Sequence, residues 1–134
     1  MCWFVYDEGK NEYVTFEALD SGKIAFEDKV TASQNASSKG GSQIWLKEGE
    51  VMTVHELLKA TIIASANDAC TALGEYIAGD EISFVAMMNE KAKELKMNNT
   101  SFENCSGLDD DVTNHYSTAR DVAIMSWELM KYEK

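Results

Sequence analysis

Proline is missing from all 134 residues, where average usage is about 5%. Because proline locks φ and lacks a backbone donor, a chain without it suits helices. Histidine is scarce: His55 falls in the first turn of a predicted helix and His115 in a predicted loop, and two such isolated residues read as surface groups. The three cysteines, Cys2, Cys70 and Cys105, form no CxxC and no zinc spacing. Their odd number leaves at least one free thiol, so neither a disulfide framework nor a metal is expected. Positive charge is short as well, with 12 basic against 23 acidic residues and a net charge of −11. A surface of that sign repels phosphate backbones, which argues against nucleic acid as a partner. No apolar run approaches the ~20 residues of a membrane span. Met1 is followed by a short apolar patch, Trp3 to Tyr6, without a basic n-region or cleavage site, so the pattern of a signal peptide is not seen.

Hydrophobic residues make up 45% of the chain, charged residues 26% and aromatics 10%, a composition that builds a core rather than a disordered tail. The length suits one domain. Residues 1–12 carry no assignable element, and residues 13–134 read as a single domain. Phe16-Glu17-Ala18-Leu19 ends a helix begun near Asn11, with Gly22 as its C′ residue. Lys29 to Ala32 is a strand candidate, and Val51-Met52-Thr53 can pair with Val30-Thr31-Ala32 as a small ribbon. Residues 33–43, rich in Ser, Asn and Gly, read as a loop.

Thr53-Val54-His55-Glu56 is a capping box. Val54, Leu57, Leu58, Thr61 and Ile62 then share one helical face, and the run stays apolar through Ile63-Ala64, which predicts a buried helix. Ser65-Ala66-Asn67-Asp68 breaks it. A further helix runs from Ala69 to Ala78 and stops at Gly79. The next starts at Asp80 or Ser83, with Phe84, Val85, Met88, Ala92 and Leu95 inward and Lys91, Lys93 and Lys96 near its C-terminal end. Thr118-Ala119-Arg120-Asp121 opens the last, with Val122, Met125 and Leu129 on one stripe. The sum is mainly α: four to five helices plus a small two-stranded β-ribbon.

The break at Ser65 and Asn67 is the most informative local feature, because an unpaired buried hydroxyl or amide costs about 1–3 kcal/mol. Periodicity alone favours an internal cap, with Asn67 or Asp68 starting one helix and Ser65 ending the other. The alternative is that Ser65 and Asn67 point into a cleft. Here Ser65-Ala66-Asn67 matches the S-x-N form of the second motif of the serine enzymes whose set is S-x-x-K, S-D-N and K-T-G.

The surroundings of that triplet, Ile62 to Gly79, resemble the low-molecular-mass penicillin-binding D-alanyl-D-alanine carboxypeptidases. So do Gly41 to Leu46, Phe84 to Asn89, Lys93-Glu94-Leu95 with Asn99 to Phe102, Gly107-Leu108-Asp109, and Tyr116 to Asp121. The resemblance covers roughly residues 13 to 130. It implies the helical subdomain of the β-lactamase/DD-peptidase fold. It also implies a serine-type hydrolase, active outside the cytoplasm, that removes terminal D-alanine from peptidoglycan stem peptides through an acyl-enzyme and is acylated by β-lactams. No cofactor is implied. By the same resemblance Ser65 relays a proton toward the leaving amine, Asn67 hydrogen-bonds and orients the substrate's peptide carbonyl, and Ser42 lies near the cleft rim as a substrate-binding candidate.

The chain also departs from that pattern. None of its lysines has a serine three residues before it, and the place expected for S-x-x-K, shortly before Tyr13, holds Asp7-Glu8-Gly9-Lys10-Asn11-Glu12. No Lys-Thr-Gly occurs; Lys39-Gly40-Gly41 is the nearest match and stands elsewhere. Without nucleophile and base, covalent catalysis has no route, so the chain alone is expected to be inactive. The rival reading is a non-catalytic binding or regulatory module on the same scaffold; stop codons flanking the coding DNA would favour it. Asp109-Asp110-Asp111 resembles the start of a calcium loop, but Asn114 and Arg120 stand where glycine and glutamate are needed, so no calcium site is expected. Lys39 and Lys47 read as solvated. Apolar surface that packs on the sheet in the whole enzyme, with Trp3, Trp45 and Trp127 in view, is expected to drive self-association or to be covered by the N-terminal segment.

Overall fold

The structure is a computed structural model that describes residues 13–108 and 113–132. The Cys2 thiol, the Trp3 to Tyr6 patch, the Asp7 to Glu12 segment and the Asp109-Asp110-Asp111 run lie outside the described residues. Among these residues there are six helices and two strands, in the order α1 (13–20), β1 (Lys29–Thr31), α2 (Gln34–Ser37), β2 (Val51–Thr53), α3 (Val54–Ala64), α4 (Asn67–Ala78), α5 (Glu81–Glu94) and α6 (Ala119–Leu129). The extra helix is α2, a single turn inside the predicted loop. Ser33 caps it by accepting from the Ala36 amide at 3.0 Å, and Ala36 alone is buried, too little apolar signal for periodicity to detect.

The ribbon is antiparallel, pairing Lys29 with Thr53, Val30 with Met52 and Thr31 with Val51, one residue earlier on the first strand than expected. Ala32 still takes part: its amide donates to Glu50 O and its carbonyl accepts from Gly49 N, both at 2.8 Å. The capping box forms as predicted, with Glu56 N on Thr53 Oγ1 at 3.2 Å and Thr53 N on Glu56 Oε2 at 2.9 Å. Asp80 caps α5 through Ser83 N at 2.6 Å, and Thr118 caps α6 through Asp121 N at 3.2 Å.

The expectation of a buried helix at Val54–Ala64 is corrected. Val54, Leu57, Leu58 and Thr61 are buried, but Ile62 and Ile63 are 47% and 79% exposed. One face of α3 packs on α4 and the other is open. The deeply buried helix is α4, which packs against α2, α3, α5 and β1 and buries every residue from Asn67 to Gly74. Its small and polar residues (Asn, Asp, Cys, Thr, Ala, Gly) mask that burial in any hydropathy reading, yet they allow close approach on all sides. Leu57, Leu73, Phe84, Met88, Met97 and Met125 fill the core around it, each burial worth about 1.5–3 kcal/mol.

Candidate active site

α3 ends at Ala64, and Ser65 turns the chain in the left-handed region, at φ 53°, ψ 41°. The amides of Ser65 and Ala66 both fold back onto the Ala60 carbonyl. A side chain at such a φ costs roughly 1–2 kcal/mol, and strain of this kind collects at functional positions. Ser65 is half-buried, and its hydroxyl makes no hydrogen bond with the described residues.

The turn delivers Asn67 and Asp68 to the first turn of α4, and neither serves as an N-cap. That position is Ala66, which has no side-chain cap bond; the internal-cap reading thus holds in position, with Ser65 the C-cap of α3 and Asn67 the first residue of α4, but not in a capping role for either side chain. Both side chains instead reach across to the loop of residues 38–46. Asp68, fully buried, accepts from Ile44 N at 3.1 Å, Leu46 N at 2.9 Å and its neighbour Ala69 N at 2.9 Å. Asn67, 1% exposed, is held from both ends. Its amide donates to the Ser42 carbonyl at 2.8 Å, and its Nδ2 donates to the Gly40 carbonyl at 2.9 Å. A carbonyl only accepts, so this bond fixes which end of the carboxamide is nitrogen. Oδ1 is then left buried with no partner among the described residues.

Between those two carbonyls Gly41 sits at φ 70°, where a Cβ would lie 2.8 Å from Asn67 Nδ2 and 3.1 Å from Leu108 Cδ2. Glycine is required there on both counts. Ser42 is exposed and meets Asn67 through its backbone carbonyl. Behind Asn67, Thr71 Oγ1 donates to the Asn67 carbonyl at 2.8 Å, and the Cys70 thiol donates to the Cys105 carbonyl at 2.9 Å. Cys70 and Cys105 are both buried.

Lys39 is not solvated as expected. Its ammonium meets Glu81 Oε2 at 2.8 Å, with the two side chains 20% and 16% exposed. Asn35 Nδ2 donates to the same Glu81 oxygen and to Glu75 Oε1, each at 2.8 Å. Burial raises the Glu81 pKa, but the Lys39 and Asn35 bonds together outweigh it and hold the carboxyl below its ordinary value of 4.5. His55 is exposed and meets the Phe26 ring edge-on at 5.7 Å, and His115 Nδ1 accepts from Glu103 N at 3.0 Å. An open groove of about 610 Å³ runs along Phe16, Phe26, Glu27, Thr53, His55, Leu58, Lys59 and Ile62, apart from Ser65 and Asn67. No group of three or more metal-ligating side chains exists among the described residues.

The family profile described as D-alanyl-D-alanine carboxypeptidase matches residues 11–134. The chain belongs to the D-alanyl-D-alanine carboxypeptidase family. It is 57% identical over 117 residues to D-alanyl-D-alanine carboxypeptidase DacF of Bacillus subtilis, covering 87% of this chain and 30% of that protein. It superimposes on penicillin binding protein 6B from Escherichia coli with a TM-score of 0.88 at 37% identity, covering 94% of this chain and 41% of that one. Against ampicillin-bound Penicillin-Binding Protein D2 from Listeria monocytogenes the TM-score is 0.80 at 27% identity, over 94% of this chain and 50% of that one. The chain thus spans about a third of the length of the curated carboxypeptidases it matches, and its mainly helical architecture is that of the matching part of the solved relatives.

Sequence reasoning passed over Glu81 and Gly41, read Lys39 as solvated, and gave Asp68 no more than a place at a helix start. An acidic residue inside the apolar stretch Ile62 to Leu73 was a usable signal for Asp68, since a buried carboxylate must find donors. For Lys39 and Glu81, 42 positions apart, there was none.

Proposed function

We propose that this chain is the helical subdomain of a serine-type D-alanyl-D-alanine carboxypeptidase of the cell envelope. The whole enzyme removes terminal D-alanine from peptidoglycan stem peptides through an acyl-enzyme that β-lactams also form. Residues 13–134 act as one domain in it, and Ser65, Asn67 and Ser42 form one wall of its cleft.

The observation that carries this reading is the Oδ1 of Asn67, buried and without a partner among the described residues, two residues beyond the free Ser65 hydroxyl. An unpaired buried acceptor costs about 1–3 kcal/mol, and a donor supplied by the rest of the enzyme or its substrate removes that cost. The second Nδ2 hydrogen is the donor left for a peptide carbonyl, and the Ser65 hydroxyl can both take and give a proton on its way to the leaving amine. Because Asn67 lies under residues 40–42, contact with a peptide requires that loop to shift. The exposed Ser42 hydroxyl sits on the same loop, placed to meet the peptide at the rim.

The 134-residue chain itself is inactive in this reading, since it holds neither S-x-x-K nor K-T-G. Excess benzylpenicillin followed by intact-mass measurement tests this. An unmodified mass supports it; a stable single adduct would show an activated serine in the chain and overturn it. The open face of α3 and the adjoining groove are taken to drive pairing with a second copy; light scattering that finds only monomer refutes that part.

A further inference from the structure

We propose that Lys39 and Glu81 are positioning residues for Asn67, acting through the loop that lies over its carboxamide. This deepens the proposed function and rests on Asn67 being the working amide of the site. The loop of residues 38–42 makes its grip through backbone atoms: Gly40 O takes Asn67 Nδ2 and Ser42 O takes Asn67 N. Such a grip is as firm as the loop's own placement. On the far side of the loop, residues 44 and 46 are fixed by Asp68. On the near side Lys39 stands directly before Gly40, and its ammonium is fastened to Glu81 at 2.8 Å. Glu81 lies in the first turn of α5, an element with no direct bond to Asn67. It is itself braced by Asn35 Nδ2 at 2.8 Å and approached by the Cys105 thiol at 3.6 Å.

The pair is half-enclosed rather than exposed, so it is less screened by solvent than a surface ion pair. The ion pair therefore sets where the Gly40 carbonyl sits, and the Gly40 carbonyl sets which way the carboxamide faces. Lys39 and Glu81 touch neither substrate nor the reacting atoms in this scheme. Without them the loop rides up from Asn67, the Nδ2 bond opens, and the carboxamide is free to rotate about its terminal bond, whose wells are broad.

The test uses the 15N-labelled 134-residue chain and its variants Lys39→Met, Glu81→Gln and Lys39→Arg, following the Asn67 side-chain NH2 resonances and their exchange with water alongside thermal unfolding. In Lys39→Met and Glu81→Gln the Asn67 NH2 exchange is expected to rise by about tenfold, the factor that matches one hydrogen bond's net worth, while Asn89 NH2, bonded to the Phe102 carbonyl, stays unchanged. Lys39→Arg, which keeps the charge, restores slow exchange. An ion pair that merely stabilised the fold would lower the melting temperature and leave Asn67 and Asn89 affected alike; that result, or unchanged Asn67 exchange in Lys39→Met, overturns the proposal. Lys39→Met changes a side chain already part-exposed, so the test stands even where Glu81→Gln fails to fold. The readout is independent of catalysis, so it separates a failure of the clamp from a failure of Asn67's proposed role in the enzyme.

Discussion

Replacing Asp68 with alanine removes the acceptor of three backbone amides at once. Two of those bonds, to Leu46 N at 2.9 Å and Ala69 N at 2.9 Å, are buried; the third, to Ile44 N at 3.1 Å, is half-buried and open to replacement by water. Hydrogen bonds to a charged group contribute about 1.5–3 kcal/mol each. Two full losses and one partial loss therefore give roughly 4–7 kcal/mol, out of about 5–15 kcal/mol for a whole domain. For a chain of this size each kcal/mol moves the melting temperature by about 3–5 °C, so Asp68→Ala is expected to melt roughly 12–35 °C lower. Asp68→Asn separates the contributions. Oδ1 serves Ile44 and Ala69 while Oδ2 serves Leu46, so an amide must turn its NH2 toward at least one N–H, and about half the loss is expected. Urea unfolding followed by circular dichroism measures both. If Asp68→Ala stays within about 0.5 kcal/mol of the parent, the range of ordinary surface changes, the clasp between α4 and the 44–46 loop is not holding the fold and the reasoning fails.

Three other outcomes follow from the same geometry. Gly41→Ala forces a side chain into φ 70° and against Asn67 Nδ2; a loss of at least about 1–2 kcal/mol is expected, with displaced Asn67 side-chain resonances, and calorimetry and NMR check the two parts. Ser65→Gly relieves the left-handed serine and is expected to raise stability by roughly 0.5–1 kcal/mol, while in the whole enzyme it lowers turnover by removing the hydroxyl; a Ser65→Gly chain that melts lower than the parent contradicts the first half. Glu81 has its carboxyl held below 4.5, so as pH falls the unfolded chain takes up that proton first. Its contribution is present above about pH 4.5 and lost as pH drops through the lower folded value, and Glu81→Gln should flatten that acid limb in a pH series of melting curves.

What was legible in the sequence was local. The capping box at Thr53 and Glu56, the caps at Asp80 and Thr118, and the stripe of Phe84, Val85, Met88 and Ala92 lie within a few residues of their partners, and each was found where expected. The ribbon's first strand was found one residue earlier than expected: the observed register sets buried Val30 opposite half-buried Met52, where the expected one would have set exposed Thr31. Ser65 and Asn67 stood out because a serine and an amide interrupt an apolar run, and the resemblance gave them roles. What was not legible depends on pairs far apart in the chain. Periodicity says which face of a helix is apolar but not what lies opposite, so Ile62 and Ile63 read as core although α3 has no partner on that side among the described residues. The polar, small-residue helix α4 read as ordinary although it is the centre of the fold. Lys39 read as solvated because nothing near it in sequence carries the opposing charge.

The hold on Asn67 by the carbonyls of Gly40 and Ser42 has a consequence for how this corner tolerates change. A main-chain carbonyl is the same whatever side chain hangs from its residue. Position 40 has open space where a Cβ would be, and the Ser42 side chain is exposed; both can vary without loosening the amide beneath them, but the residue between them cannot. A saturation library across positions 40, 41 and 42, selected for folding, should return a permissive–forbidden–permissive pattern, with the invariant letter marking the backbone's closest approach to Asn67 rather than any chemistry of its own.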